Sequence, residues 1–188
     1  MIRLWGCFRV CRIAPPGKSR RKLEDMNWFK PPDFLNQVLI RPFREEDQAP
    51  AKKLILNGLS ERWGWLDPRK NPDLEDIRSY FAEGVFLLAE HRGEIVGTGG
   101  LLQGGEGRAQ IVRVHVAEHV QRQGLGSLIL SKLCEKAMEL GCQRVFLETT
   151  ESWEDVIRFY ESNGFHITHY TDDKVYLAKQ LDVQTQGA

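Results

Sequence analysis

The stretch His119–Leu130, HVQRQGLGSLIL, sets two glycines inside a polar, basic turn and then runs directly into an apolar segment. Glycine at this density weakens a helix, so the positions ask for bare backbone. Two readings stand side by side here. Gly124 and Gly126 can simply make a turn. Alternatively they open the first turn of a helix, where unpaired N–H groups and the positive end of the dipole attract a phosphate. Arg122 adds charge to the second reading. A dinucleotide fingerprint would need a third glycine, but Ser127, Leu128 and Ile129 follow Gly126. A Walker loop is excluded, because no Gly-Lys-Ser/Thr occurs.

Outward from this stretch, periodicity orders the chain. On its amino-terminal side RAQIVRVHVA (108–117) alternates as a strand, and VFLLAEHRGEIVGTGGLL (85–102) is two strands about an Arg92-Gly93 turn. VLIRPF (38–43) is a shorter strand, ended by Pro42. REEDQAPAKKLILNGL (44–59) has a polar start leading into an amphipathic helix. ERWGWLDPRKNPDL (61–74) carries the Gly, Pro, Asp and Asn of a loop, after which Asp73 is expected to cap a short helix reaching Phe81. On the carboxy-terminal side, apolar residues at three- and four-residue spacing extend a helix from Leu125 to Leu140, with Gly141 as its stop. RVFLETT (144–150) is a strand. Ser152 and Asp155 form a weak capping box for a helix that runs to Asn163 and ends at Gly164. FHITHYT and KVYLAKQL close the chain as a hairpin about Asp172-Asp173.

The predicted order is β-α-α-β-β-β-α-β-α-β-β. It is an α/β (mixed α+β) fold, with a mostly antiparallel sheet of six to seven strands and about four helices on its two faces. The passage from Arg108 to Thr149 is expected to be a parallel crossover.

Composition bounds the function. The 188 residues suit one domain with a core. Apolar residues make up 41%, near the globular norm once the 17 glycines are added. The 26 basic and 26 acidic residues balance, which argues against a nucleic-acid backbone or an anionic membrane as the main partner. No apolar run approaches the roughly 20 residues that span a bilayer. Among the cysteines, Cys134 and Cys142 fall on or beside an apolar helical pattern and read as buried thiols. Cys7 and Cys11 find no further Cys/His cluster to complete a metal site, so no metal is expected. The cysteine usage points to a reducing, cytoplasmic compartment. The first 23 residues hold seven Lys/Arg and no acid, interrupted by Pro15, Pro16 and Gly17. Residues 1–37 are therefore expected to be a basic extension: a targeting segment, a flexible arm or the product of an upstream start codon. Residues 38–181 would be the domain and 182–188 a tail.

The Gln-x-x-Gly-x-Gly of residues 121–126, after IVRVHV and before a helix, resembles the acyl-CoA pyrophosphate motif of the GNAT N-acetyltransferase superfamily. VIRFYESNGF (156–165) resembles its second signature, a Phe-Tyr pair ahead of Gly-Phe. The element order is also the one that family shows. The resemblance covers about Val38 to Leu181. It implies an enzyme that moves the acetyl group of acetyl-CoA to a primary amine within a ternary complex, the acceptor being a small molecule. A protein or peptide N-acetyltransferase and a non-catalytic acyl-CoA-binding regulatory module on this fold stay open as alternatives. Carried over by position, backbone N–H groups among Gln121, Arg122, Gln123, Gly124, Leu125, Gly126 and Ser127 would hold the pyrophosphate. The strand edge at Val114 to Val116 would pair with the pantetheine arm, and the Val116 amide would polarise the thioester carbonyl. Tyr160 would protonate the departing thiolate.

Two departures from the family pattern stand out. Trp153 occupies the place where many relatives carry a cofactor-contacting asparagine. Gln110 occupies the place of a glutamate base and cannot accept a proton at neutral pH. A water chain ending at Glu148, Glu118 or His115 could receive the amine's proton, and no base is assigned. Trp63 and Trp65 could wall the acceptor site, while Glu61, Asp67 and Asp73 could attract an ammonium. Core-filling tryptophans are the alternative. Oligomeric state, monomer or homodimer, is undecided.

Overall fold

Arg92 and Gly93 both take positive φ, 52° and 82°, the geometry of a two-residue hairpin turn whose twist matches its strands. The turn joins β2 (Val85–His91) to β3 (Glu94–Gln103), two neighbouring strands of a seven-stranded sheet. The structure is a computed structural model that describes residues 34–64 and 70–182. The remaining strands are β1 (Val38–Pro42), β4 (Arg108–Val116), β5 (Arg144–Thr150), β6 (His166–Thr171) and β7 (Lys174–Gln180). Their order in the sheet is β1-β2-β3-β4-β5-β7-β6, with β4 and β5 parallel and every other neighbouring pair antiparallel. Pro42 is tolerated because β1 is an edge strand. The expected order and the parallel β4–β5 crossover are both present.

Helices cover both faces, so the inner strands are apolar on successive residues rather than alternating. In β2, Phe86 and Leu88 join the cluster beneath α1 (Gln48–Trp63) and α2 (Ile77–Tyr80). Leu87 and Ala89 turn to the opposite cluster, beneath α3 (Leu125–Glu139) and α4 (Glu154–Ser162). α1 presents Ala51, Ile55 and Leu59, spaced four apart; α3 presents Leu125, Ile129, Leu130, Leu133, Cys134 and Ala137. Cys134 and Cys142 are free and buried, as expected. Under the start of α1, the buried Asp47 takes both ends of Arg41 at 2.7 and 2.8 Å and the Arg44 amide at 2.8 Å. Arg41 also reaches Glu90, so one ion-pair cluster joins β1, β2 and the helix start.

Three local expectations are corrected. Asp73 caps no helix. It lies buried in a 3-10 turn (Pro72–Leu74), and Asp76 caps α2 by accepting from the Ser79 amide at 2.9 Å. Neither does Ser152 cap α4: Trp153 is the N-cap, with no side-chain cap bond, and Glu154 and Asp155 meet the helix dipole instead. The folded part also begins before Val38. Leu35–Gln37 form a 3-10 turn, and Phe34 and Leu35 pack on the core cluster. Residues 1–33, with Cys7 and Cys11, and the tail 183–188 lie outside the described residues, as do Trp65 and Asp67.

Candidate active site

β4 is the strand that makes the site. It pairs with β5 only from Arg108 to Gln110, opposite Arg144 to Phe146. Beyond Gln110 the two strands part, leaving the β5-side edge of β4 through Val114 and Val116 outside the ladder. Between the pairs Gly100↔Val112 and Thr98↔His115, Arg113 and Val114 stand opposite Gly99 alone. This is a β-bulge, with Arg113 at φ 55° and its carbonyl held by the Thr98 hydroxyl at 2.8 Å. The parted strands open a cleft of about 1220 Å³.

At one end of the cleft lies the opening sequence stretch. Arg122 (φ 62°) and Gly124 (φ 87°) are left-handed on either side of Gln123. Such alternation turns successive N–H groups toward one side, the concavity that binds anions. A left-handed conformation is uncommon for an arginine, and strain of this kind clusters at functional sites. Among the described residues the N–H groups of Arg122 through Ser127 meet no acceptor; the first helical bond is Leu128 N–H to the Gly124 carbonyl at 3.1 Å. Gln121 is arranged differently. Its amide N–H donates to Glu118 at 3.1 Å, and its side chain donates to the Val116 carbonyl at 3.0 Å, tethering the turn to β4. Gly126 does not leave open room: a Cβ there would lie 3.0 Å from Phe159 Cζ, so its bareness lets α3 close on α4. Gly124 and Gly126 thus serve separate ends, one conformational and one steric.

Tyr160 on α4 also lines the cleft. Its ring packs against Phe159 and Phe165, with centroids 5.2 and 5.8 Å away. Burial pushes its hydroxyl well above the usual phenol range, so it carries its proton at neutral pH. Val114, Val116, Gln121, Arg122, Gly124, Leu125, Gly126, Ser127 and Tyr160 share this one cleft. Of the expected site residues, Gln123 alone does not line it, although its N–H belongs to the unpaired run.

The other half of the cleft adds Arg113 and Arg62, which the sequence did not single out, to residues that it did. The bulged Arg113 forks onto Asp73, Nε to Oδ2 at 2.7 Å and Nη2 to Oδ1 at 2.6 Å. Asp73 is therefore occupied rather than free for an ammonium. Arg62, near the end of α1, donates to Asp155 of α4 at 2.9 and 3.2 Å and lies 4.9 Å from the Trp153 ring centroid. Trp63, itself 53% exposed, meets Trp153 at 5.3 Å. Trp153 thus contributes to a bridge between α1 and α4 across the cleft. Glu148 is paired with Lys174 at 2.7 Å. Gln110, Glu118, Glu61, Lys70 and Tyr80 complete this part of the lining. An arginine inside the apolar run IVRVHV was the visible signal for Arg113; nothing local marked Asp73 as the partner of Arg113 or Asp155 as the partner of Arg62. His115 also lines the cleft, and burial first, then the charges of Arg113 and Arg62, push its pKa down to about 4. Among the described residues no group of His, Cys, Asp and Glu is arranged to hold a metal, and no helix is long and apolar enough to cross a membrane.

Residues 52–165 match the model of the acetyltransferase (GNAT) family. The chain is similar to the uncharacterized N-acetyltransferase YjgM of Escherichia coli (strain K12), 28% identical over 148 residues that cover 70% of this chain and 89% of that one. It is similar to the acetyltransferase ECA0875 of Pectobacterium atrosepticum, 31% identical over 145 residues, 76% of this chain and 94% of the relative. Its fold resembles the PaiA N-acetyltransferase of Thermoplasma acidophilum, solved in complex with coenzyme A, with a TM-score of 0.67 at 16% identity, covering 76% and 98% of the two chains. The parted β4–β5 pair, the turn of unpaired N–H groups and the family match lead to one conclusion: this chain is a member of the GNAT acetyltransferase family.

Proposed function

We propose that the protein transfers the acetyl group of acetyl-CoA to a primary amine of a small molecule, directly and within a ternary complex. The observation that carries this reading is the unpaired N–H run from Arg122 to Ser127, which opens on the same cleft as the unladdered edge of β4 and Tyr160. Those N–H groups suit a pyrophosphate, and the left-handed Arg122 and Gly124 aim them. Gln121 acts as the tether of that turn and Gly126 as its packing contact with α4. The free edge at Val114 and Val116 suits an extended amide-bearing arm, which would add to the sheet as a strand does. The Val116 N–H is the donor for the thioester oxygen. Tyr160, held protonated by burial, gives its proton to the departing sulfur. Direct transfer is supported by the lining, which contains no cysteine among the described residues. Coenzyme A bound to the Thermoplasma structure supports acetyl-CoA as the donor.

The test is an amine panel with thiol detection, run beside thermal stabilisation by coenzyme A. The panel holds aryl-alkylamines, amino sugars, amino acids, polyamines and a lysine peptide. Stabilisation with transfer to small amines is the expected result. Transfer to the peptide alone would move the acceptor to protein, and stabilisation without any transfer would leave a binding module. Tyr160→Phe should lower thiol release about 100-fold with coenzyme A binding retained.

A further inference from the structure

The imidazole of His115 has no hydrogen-bond partner among the described residues, whose other buried side chains are satisfied. Its Nδ1 is the one buried side-chain nitrogen or oxygen without a hydrogen bond among the described residues. Buried polar atoms are nearly always paired, so each exception asks for a reason. His115 lines the cleft, and among the described residues its Nε2 makes no hydrogen bond either.

A second observation is independent of the first. Gly58 lies well inside α1, where glycine weakens a helix relative to alanine. Its φ is not positive, so the backbone does not require glycine. What requires it is the imidazole: a Cβ at position 58 would stand 2.7 Å from His115 Cδ2 and 3.3 Å from Nε2. The helix is cut away to seat this ring.

The surroundings define what the ring can do. Val114 and Val116 on either side turn to the α3 cluster, while His115 turns to α1, the acceptor half of the cleft. Arg113 from its own strand and Arg62 from α1 are the charges that act on it, and the nearby carboxylates Asp73 and Asp155 are each already engaged by one of these arginines. At rest the ring is therefore neutral, and its charged form is only a transient carrier of a proton; an ammonium brought beside it is disfavoured too. A neutral imidazole offers a lone pair to an N–H.

We propose that His115 Nε2 accepts the hydrogen of the attacking nitrogen, that the acceptor is a monoamine bound as its free base, and that the ring takes the nitrogen's proton as the new bond forms. This rests on the acetyl-transfer reading above. The nitrogen lone pair forms the C–N bond at the thioester carbonyl. That nitrogen becomes far more acidic than a free ammonium and yields its proton to Nε2. The C–S bond breaks with its electron pair on sulfur, which takes the Tyr160 proton. His115 then passes its proton to water, and water restores Tyr160. One proton leaves nitrogen and one arrives on sulfur.

The test uses the full chain with acetyl-CoA and the best small amine from the panel. His115→Phe keeps a ring and removes both nitrogens. It should hold or raise Tm, because the unpaired Nδ1 is gone, while kcat/KM for the amine falls about 100-fold and the KM for acetyl-CoA stays fixed. His115→Gln, which keeps a hydrogen-bond acceptor near the Nε2 position but no base, should recover the amine KM and not kcat. Gly58→Ala should lower kcat/KM about 10-fold by displacing the ring, with Tm unchanged or higher. Full activity in His115→Phe, equal kcat recovery in His115→Gln, or a preference of the unaltered chain for spermidine over 2-phenylethylamine would overturn the proposal. If the unaltered chain acetylates no panel amine, the acetyl-transfer reading itself fails and the His115 assignment falls with it; the first three outcomes leave that reading standing.

Discussion

Replacing Gly124 with alanine separates the conformational role of this glycine from the affinity it supports. Gly124 is left-handed (φ 87°, ψ −3°) at the N-cap of α3. An L-residue pays about 1–2 kcal/mol to stay there. The added Cβ would come 3.2 Å from Leu35 Cδ1, the far end of a flexible side chain, so steric cost adds little. At about 2–4 °C per kcal/mol for a chain of this size, Tm should fall about 2–8 °C. Relaxation toward an ordinary φ would rotate the adjacent N–H groups out of the concavity. Charge-assisted hydrogen bonds are worth about 1.5–3 kcal/mol each, so losing one weakens coenzyme A about 10- to 100-fold. The control lies at the other end of the same helix. Gly141 has φ 78° and a Cβ added there would meet nothing within 4 Å, so Gly141→Ala carries similar strain with no ligand consequence. Calorimetry should give the two variants similar losses of Tm, and titration should give only Gly124→Ala a loss of coenzyme A affinity. Equal coenzyme A affinity in both would refute the concavity as the phosphate site.

Three further expectations concern stability. Asp47→Asn should cost about 2–3 kcal/mol, below the usual figure for a broken buried pair because Arg41 keeps Glu90. Arg41 holds the Asp47 carboxyl below the usual carboxylate range. Its contribution is therefore full above about pH 4 and is lost as pH falls through the lowered folded-state value, so urea midpoints in acid should slope less in Asp47→Asn than in the unaltered chain. Leu133→Ala, at a fully buried position, should cost about 2–5 kcal/mol in urea unfolding with coenzyme A affinity retained. The Arg62–Asp155 pair, 40% and 45% exposed, should show a coupling of at most about 1 kcal/mol in a double-mutant cycle, shrinking in high salt.

Local chemistry made much of this protein legible in its sequence. The Arg92-Gly93 turn, the left-handed stops at Gly141 and Gly164 and the four-residue spacing on α1 and α3 are short-range patterns, and each produced the element it predicts. The caps were less legible. Asp73 and Ser152 are good capping residues, but Arg113, forty residues away, claims the first, and the second yields to Trp153.

By itself the sequence determined the order of elements, the open-handed turn at 121–127 and the placing of Tyr160 on a helix behind it, because these depend on periodicity and on backbone freedom within a few residues. Only the tertiary structure decided that β4 leaves β5 after Gln110, that Asp73 and Asp155 are already neutralised, that Phe159 fills the place beside Gly126, and that Gly58 makes room for an unpaired His115. Those are contacts between distant segments, formed when two helices and a bulged strand close on one cleft, and no local pattern records which side chains will meet there.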